Sequence, residues 1–163
     1  MKMAVLYYSK TGNTQKMAEV IVKGMETVAG VEAKSFALDN IDEGFVKECG
    51  CVVLGSPIYV ATICGPVKTW LESSARPLNL AGKIGGAFAT ADYVHGGGDI
   101  GIQSILSHML VYGMLAYSGG AAHGKPVIHL GPVALTKDIE QYFEAFTTYG
   151  QRMAQKTMEV FGK

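Results

Sequence analysis

Short apolar runs alternate with amphipathic ones along the chain. Met3-Ala4-Val5-Leu6-Tyr7-Tyr8 is a short continuous apolar run that reads as a buried strand; Met17, Ala18, Ile21, Met25 and Val28 then recur at helical spacing. Glu19 and Lys23 stand one turn apart outside that stripe, a favourable i,i+4 pair. Val31 to Leu38 reads as a second, less regular strand and Glu43 to Cys49 as a short helix. Cys51-Val52-Val53-Leu54 predicts a third strand that stops at the turn-forming Gly55-Ser56-Pro57. Pro66 suits the first turn of a helix reaching Glu72. Ile84 to Thr90 predicts a fourth strand and Ile100 to Tyr112 a fourth helix, while Gly113 to Tyr117 with part of Val127 to Leu130 makes a fifth strand region. A last helix is expected from about Lys137 to Phe161, capped by Thr136, with Ile139, Tyr142, Phe143, Phe146 and Met153 on one face.

Strand–helix units in series need crossover connections, and these are right-handed, so five of them imply a parallel sheet with helices on both faces. The expected class is doubly wound α/β. With 163 residues and no repeat, linker or low-complexity stretch, the expectation is a single domain over 1–163. Ligands of such sheets bind beyond the carboxyl ends of the strands, where strand order reverses. Three loops qualify: SKTGNT after the first strand, GSPIYVATICG after the third and TADYVHGGGDIG after the fourth.

Composition narrows the possibilities. Fourteen Lys and Arg balance fourteen Asp and Glu, which leaves no electrostatic footprint for nucleic acid or an anionic membrane. The short apolar run after Lys2 is below the length of a signal-peptide core and no later run approaches a membrane span, so the expectation is a soluble cytoplasmic protein. Cys49, Cys51 and Cys64 form neither an even disulfide framework nor paired zinc knuckles. Cys49-Gly50-Cys51 reads either as a redox or metal pair or as core, and the apolar run that Cys51 opens favours core. His108, His123 and His129 show no metal-ligand spacing.

The first loop enters a helix, whose leading N–H groups lack partners and whose dipole favours an anion. Gly12 lets the backbone approach closely, Ser9, Thr11 and Thr14 add hydroxyl donors, and Asn13 adds an amide, with Lys10 the one cation. A phosphate monoester fits; a plain capping role for Thr11 or Asn13 explains one of these groups and leaves the rest idle. Two better-known nucleotide signatures nearly occur. Gly119 to Pro126 follows the P-loop pattern until Pro126 replaces the metal-binding hydroxyl, and an apolar run rather than a helix comes next. Gly96-Gly97-Gly98-Asp99-Ile100-Gly101 satisfies G-x-G-x-x-G, but after the fourth strand and without an acidic residue about 20 positions on. Its glycines read as a loop passing close to a flat ligand, or simply as a flexible loop.

Ser9 to Thr14, in its place after the first strand, resembles the FMN-phosphate loop of flavodoxins, a serine or threonine, any residue, then T-G-x-T. Gly55-Ser56-Pro57-Ile58-Tyr59 is similar to that family's second flavin loop, with Tyr59 where an aromatic residue stacks on the isoalloxazine. The resemblance covers essentially the whole chain. It implies the flavodoxin-like five-stranded sheet in the order 2-1-3-4-5, FMN as cofactor, and a site in which Ser9, Lys10, Thr11, Gly12, Asn13 and Thr14 hold the phosphate. Pro57, Ile58 and Tyr59 would cover one ring face, and the loop carrying Thr90, Asp92, Tyr93, His95, Gly96 and Gly97 the other. Taken singly, Tyr59 and Tyr93 also read as ordinary loop aromatics, Asp92 as a turn residue and His95 as a solvated side chain.

The resemblance implies an electron carrier that works with a redox partner protein through bound FMN. The stretch His95 to Met114 resembles instead the NAD(P)H:quinone oxidoreductase branch, for which NAD(P)H and a quinone would be the partners and a homo-oligomer would complete the pocket. Ser56 to Gly65 contains no carboxylate, so a less negative potential than that of an acidic flavodoxin is expected.

Overall fold

The computed structural model describes residues 1–162. β1 (Lys2–Tyr7) is flanked in parallel by β2 (Glu32–Ala37) and β3 (Cys51–Tyr59). The register runs from Lys2 opposite Glu32 to Tyr7 opposite Ala37 on one side, and from Met3 opposite Cys51 to Tyr7 opposite Gly55 on the other. From Met3 onward the strand alternates its side chains between two cores, which is why Met3 to Tyr7 is apolar at every position rather than at every second one. Ala4 and Leu6 point into a layer with Val52, Leu54, Trp70 and Ile102. Met3 and Val5 point into the other, with Ile21, Phe146, Tyr149 and Met153.

Helices cover both faces accordingly. α1 (Asn13–Glu26) and α5 (Phe143–Phe161) contribute to the second layer. The first is closed by α2 (Glu43–Glu48), whose Asp42 accepts the Phe45 N–H as a cap, by α3 (Gly65–Ser73) and by α4 (Gly98–Val111). Beyond β3 lies β5 (Ile84–Ala91), and a short antiparallel partner of β3, β4 (Thr62–Ile63), stands off the main path. β6 (Leu115–Ala116) pairs with the start of β5 and β7 (Val133–Leu135) with its end. The strand order is β2-β1-β3-β5-β6, which is the expected 2-1-3-4-5 once the off-path β4 is left out of the count, with the last position shared.

Three expectations about element boundaries are corrected. The third strand does not stop at Gly55-Ser56-Pro57, because β5 continues to pair alongside it: Gly55 lies opposite Phe88, Ser56 opposite Ala89 and Pro57 opposite Thr90. Turn chemistry yields there to a parallel ladder, and proline is tolerated near the strand's far end. The second half of the fifth strand region is not Val127 to Leu130 but β7, since Val127 and Leu130 are exposed and only Ile128 of that run is buried. Finally, Thr136 does not cap the last helix. A 3₁₀ turn over Ile139–Tyr142 precedes α5, and the Thr136 hydroxyl donates instead to Asp92 at 2.6 Å.

Between β6 and β7 the chain wraps a buried cation. The guanidinium of Arg152, on α5, donates to the carbonyls of Pro126 at 3.0 Å and His123 at 3.1 Å, with Gly120, Gly124 and Lys125 at 3.4–3.5 Å. Among the described residues no helix is long and apolar enough to cross a membrane.

Candidate functional site

The carboxyl ends of β1, β3, β5 and β7 converge on one cleft. At its polar end the loop after β1 turns into α1 through Gly12, which has φ of +89° and serves as the N-cap. A side chain there would meet nothing within 4 Å, so the position demands glycine for its backbone angle, and the absence of a side chain leaves the helix mouth open. No side chain caps α1 and its first turn carries no acidic residue. The N–H groups of Asn13, Thr14 and Gln15 therefore face outward with the positive end of the helix dipole behind them. Ser9 accepts the Gly12 N–H at 3.1 Å, which keeps its own hydroxyl proton available. Asn13 donates its amide to Thr11 at 3.3 Å. Thr14 turns inward, its hydroxyl 2.8 Å from that of Thr90. Lys10 lines the same end as a cation.

One wall is a hairpin. Gly55 admits the ring of Phe88, which a Cβ would meet at 2.0 Å. The buried Ser56 hydroxyl accepts the Cys64 N–H at 3.2 Å and donates to the Pro57 carbonyl at 2.7 Å, tying the two ends of the hairpin together. Between them Ile58 pairs with Ile63 and Tyr59 with Thr62, around a two-residue turn in which Val60 and Ala61 have φ of +52° and +66°. Such turns favour glycine or asparagine, so a β-branched residue here is strained and is held by its surroundings. Those surroundings are the glycines of the 96–101 run. A Cβ on Gly97 would lie 2.2 Å from the Ala61 carbonyl oxygen, and one on Gly101 2.3 Å from the Ile58 methyl. The G-x-G-x-x-G match is a seat for the hairpin, with Gly97 and Gly101 packed against protein.

The other wall is the end of β5 together with the loop that leaves it. Asp92 accepts from Thr136, which crosslinks this loop to the end of β7. Tyr93 and His95 stack on one another at the rim, their ring centres 5.8 Å apart and planes within 4°. Tyr59 is about half-exposed over the cleft, and burial pushes its phenol up from its ordinary value, with Cys64, Tyr8 and Asp92 adding to the effect.

The cleft so formed has a volume of about 110 Å³ and opens to solvent. Lys10, Thr11, Asn13, Thr14 and Thr90 line its polar end; Pro57, Ile58, Tyr59 and Asp92 line the rest. His95, Gly96 and Tyr93 bound a shallower apolar trough that continues past Tyr59. Ser9 and Gly12, outside this lining, are tied to each other by the Gly12 N–H. Ala91 and Thr136 also line the cleft, and the sequence pattern did not mark them as site residues. Thr136 follows β7 at its carboxyl end, where the topology rule places ligands, but the sequence pattern does not predict that strand.

An uncapped helix mouth ringed by hydroxyls suits a dianionic group, and a slot between Ile58-Tyr59 and Ala91-Asp92 suits a flat ring. No group of His, Cys, Asp and Glu side chains among the described residues has the arrangement of a metal site. Cys49 and Cys51 belong to opposite core layers and burial pushes both thiols up to about 12; this favours the core reading over a redox pair.

Comparison with known proteins gives a consistent picture. The family model described as Flavodoxin matches residues 5–71. A flavodoxin of Clostridium saccharobutylicum is 41% identical over 161 residues, covering 99% of this chain and 100% of that protein. An NAD(P)H dehydrogenase (quinone) of Geotalea daltonii is 29% identical over 144 residues, 71% of this chain and 69% of its own. Among solved structures, a flavodoxin, WrbA-like protein from Agrobacterium tumefaciens superposes with a TM-score of 0.81 at 22% identity, covering 97% of this chain and 98% of that one.

Proposed function

Since the chain belongs to the flavodoxin family, we propose that it binds flavin mononucleotide in the cleft at the carboxyl ends of its strands and exchanges electrons with a redox partner through it. The observation that carries this reading is the open mouth of α1: a glycine N-cap, no capping side chain and no acidic residue in the first turn, with Ser9, Thr11, Asn13 and Thr14 clustered around it. Bound flavin supplies the electron-transfer chemistry, and the protein supplies position and electrostatics.

In this reading the N–H groups of Asn13, Thr14 and Gln15 and the neighbouring hydroxyls hold the phosphate, with Lys10 at the edge. Pro57, Ile58 and Tyr59 cover one face of the ring, while Asp92, Tyr93, His95 and Gly96 bound the other side and Thr90 stands at the polar end beside Thr14. Gly97 supports the site from beneath the hairpin. Ring contact with an aromatic wall is worth roughly 0.5–1.5 kcal/mol beyond area burial. The second loop, Ser56 to Gly65, contains no carboxylate and Asp92 is the carboxylate that lines the cleft, which favours a less negative potential than an acidic second loop would set. Residues 1–163 form one domain in this reading. The test is direct: the purified protein, or the protein after addition of FMN, shows a bound-flavin absorption spectrum. A folded protein that stays colourless with added FMN contradicts the proposal.

A second reading draws on the apolar trough beyond Tyr59, lined by Val60, Ala61 and Tyr93, which gives room beside the ring for a second planar molecule. There the protein is an NAD(P)H:quinone oxidoreductase. Steady oxidation of NADH or NADPH with a soluble quinone, without any added reductase, supports that reading; no turnover supports the carrier.

A further inference from the structure

Thr14 and Thr90 meet where the mouth of α1 faces the end of β5. Their hydroxyl oxygens are 2.8 Å apart, and the two residues are only 1% and 2% exposed. Both backbones are fixed, Thr14 within the first turn of α1 and Thr90 by its place opposite Pro57 in the β3–β5 ladder. This contact is the one hydrogen bond that either oxygen makes among the described residues.

A hydroxyl has one proton to give and can accept two. Two hydroxyls that share one hydrogen bond therefore commit one proton and keep the other free, and either can be the donor. If Thr14 donates, the free proton sits on Thr90. If Thr90 donates, it sits on Thr14, at a helix mouth that no side chain caps. A negative group over that mouth selects the second arrangement, because it accepts the Thr14 proton while the Thr14 oxygen accepts from Thr90. Hydrogen bonds in such a chain polarise one another, most effectively where water is excluded.

We propose that Thr90 is a positioning residue for the phosphate end of the cleft, acting through Thr14: it orients and polarises the Thr14 hydroxyl toward the anion instead of contacting the ring. This rests on the FMN reading above. It differs from a plain ring-facing or packing role in what each would do to ligands with and without a phosphate.

The experiment is a double-mutant cycle on FMN and riboflavin affinity, read from the change in flavin fluorescence on binding. Thr90→Val removes the hydroxyl and keeps the shape. The expected result is FMN binding about tenfold weaker with riboflavin binding unchanged, and recovery in Thr90→Ser. In a Thr14→Val background, Thr90→Val should change nothing further, since the donor it supports is gone. Equal weakening for FMN and riboflavin, or losses that add in the double variant, would overturn the proposal. Should Thr90→Val fail to fold, Thr90→Ala in the same cycle reads the same donor. Wild-type protein that binds neither flavin sinks the FMN reading itself; wild type that binds FMN no better than Thr90→Val sinks only the relay.

Discussion

Ser9 to Thr14 and Gly119 to Pro126 are both short, glycine-bearing turns with a single lysine, and by composition the second is nearer to a known phosphate loop. They offer opposite ends of the peptide group. The first runs into α1, so its backbone ends in N–H groups that no side chain caps. The second runs into no α-helix. It curls its carbonyls inward, and five of them surround the guanidinium of Arg152, which is itself only 7% exposed. Glycine lets a backbone come close to a ligand. Whether that ligand is an anion or a cation is decided by the next element of the chain, because a helix start presents donors and a wrapped loop can present acceptors.

The contrast can be broken at several points. Thr11→Ala combined with Thr14→Ala is expected to weaken FMN binding by on the order of 1.5–3 kcal/mol for each charged hydrogen bond lost, measured by calorimetry; unchanged affinity would remove the hydroxyls from the phosphate site. Arg152→Met leaves part-buried carbonyls without their cationic donor and is expected to lower stability by roughly 1–3 kcal/mol in urea unfolding, with FMN affinity of the folded protein kept. If the stability holds and FMN affinity drops, the second loop belongs to the site after all. Gly97→Ala drives a Cβ into the Ala61 carbonyl at a backbone angle that disfavours it, at an expected cost of roughly 1–3 kcal/mol in stability, and shifts the hairpin that carries Tyr59. Riboflavin affinity should fall with it. The smallest effect is expected from the lysines. Lys10→Ala should cost FMN binding less than about 1 kcal/mol, a loss that fades with added salt, and Lys125→Ala should cost nothing measurable. A large loss at Lys10 would mean that a side-chain charge, not the helix mouth, holds the anion.

The first loop was legible because its chemistry is local. A buried strand, a run of hydroxyls, a glycine and an amphipathic helix come in order, and the structure keeps that order. The same holds for the alternation of strands and helices that fixes the doubly wound sheet. What escaped sequence reasoning depends on partners distant in the chain. Gly55-Ser56-Pro57 carries turn chemistry, and only the pairing with Phe88, Ala89 and Thr90 keeps it extended. Val127 to Leu130 has the composition of a strand, yet the edge of β5 is taken by Val133–Leu135. Thr136 looked like a cap because caps are local, whereas its hydroxyl reaches Asp92, 44 residues away. The glycines after His95 signalled a close approach, but sequence could not say that the approaching group is the Ala61 carbonyl.

The central claim is that the amides opening α1 grip a phosphate. An amide-resolved proton–nitrogen spectrum recorded with and without FMN tests it most directly. The account predicts large shifts for the amides of Asn13, Thr14 and Gln15, with those of residues 119 to 125 unmoved. Unmoved amides at the start of α1 in the FMN-bound protein, or shifts centred on the loop around Arg152, would contradict it.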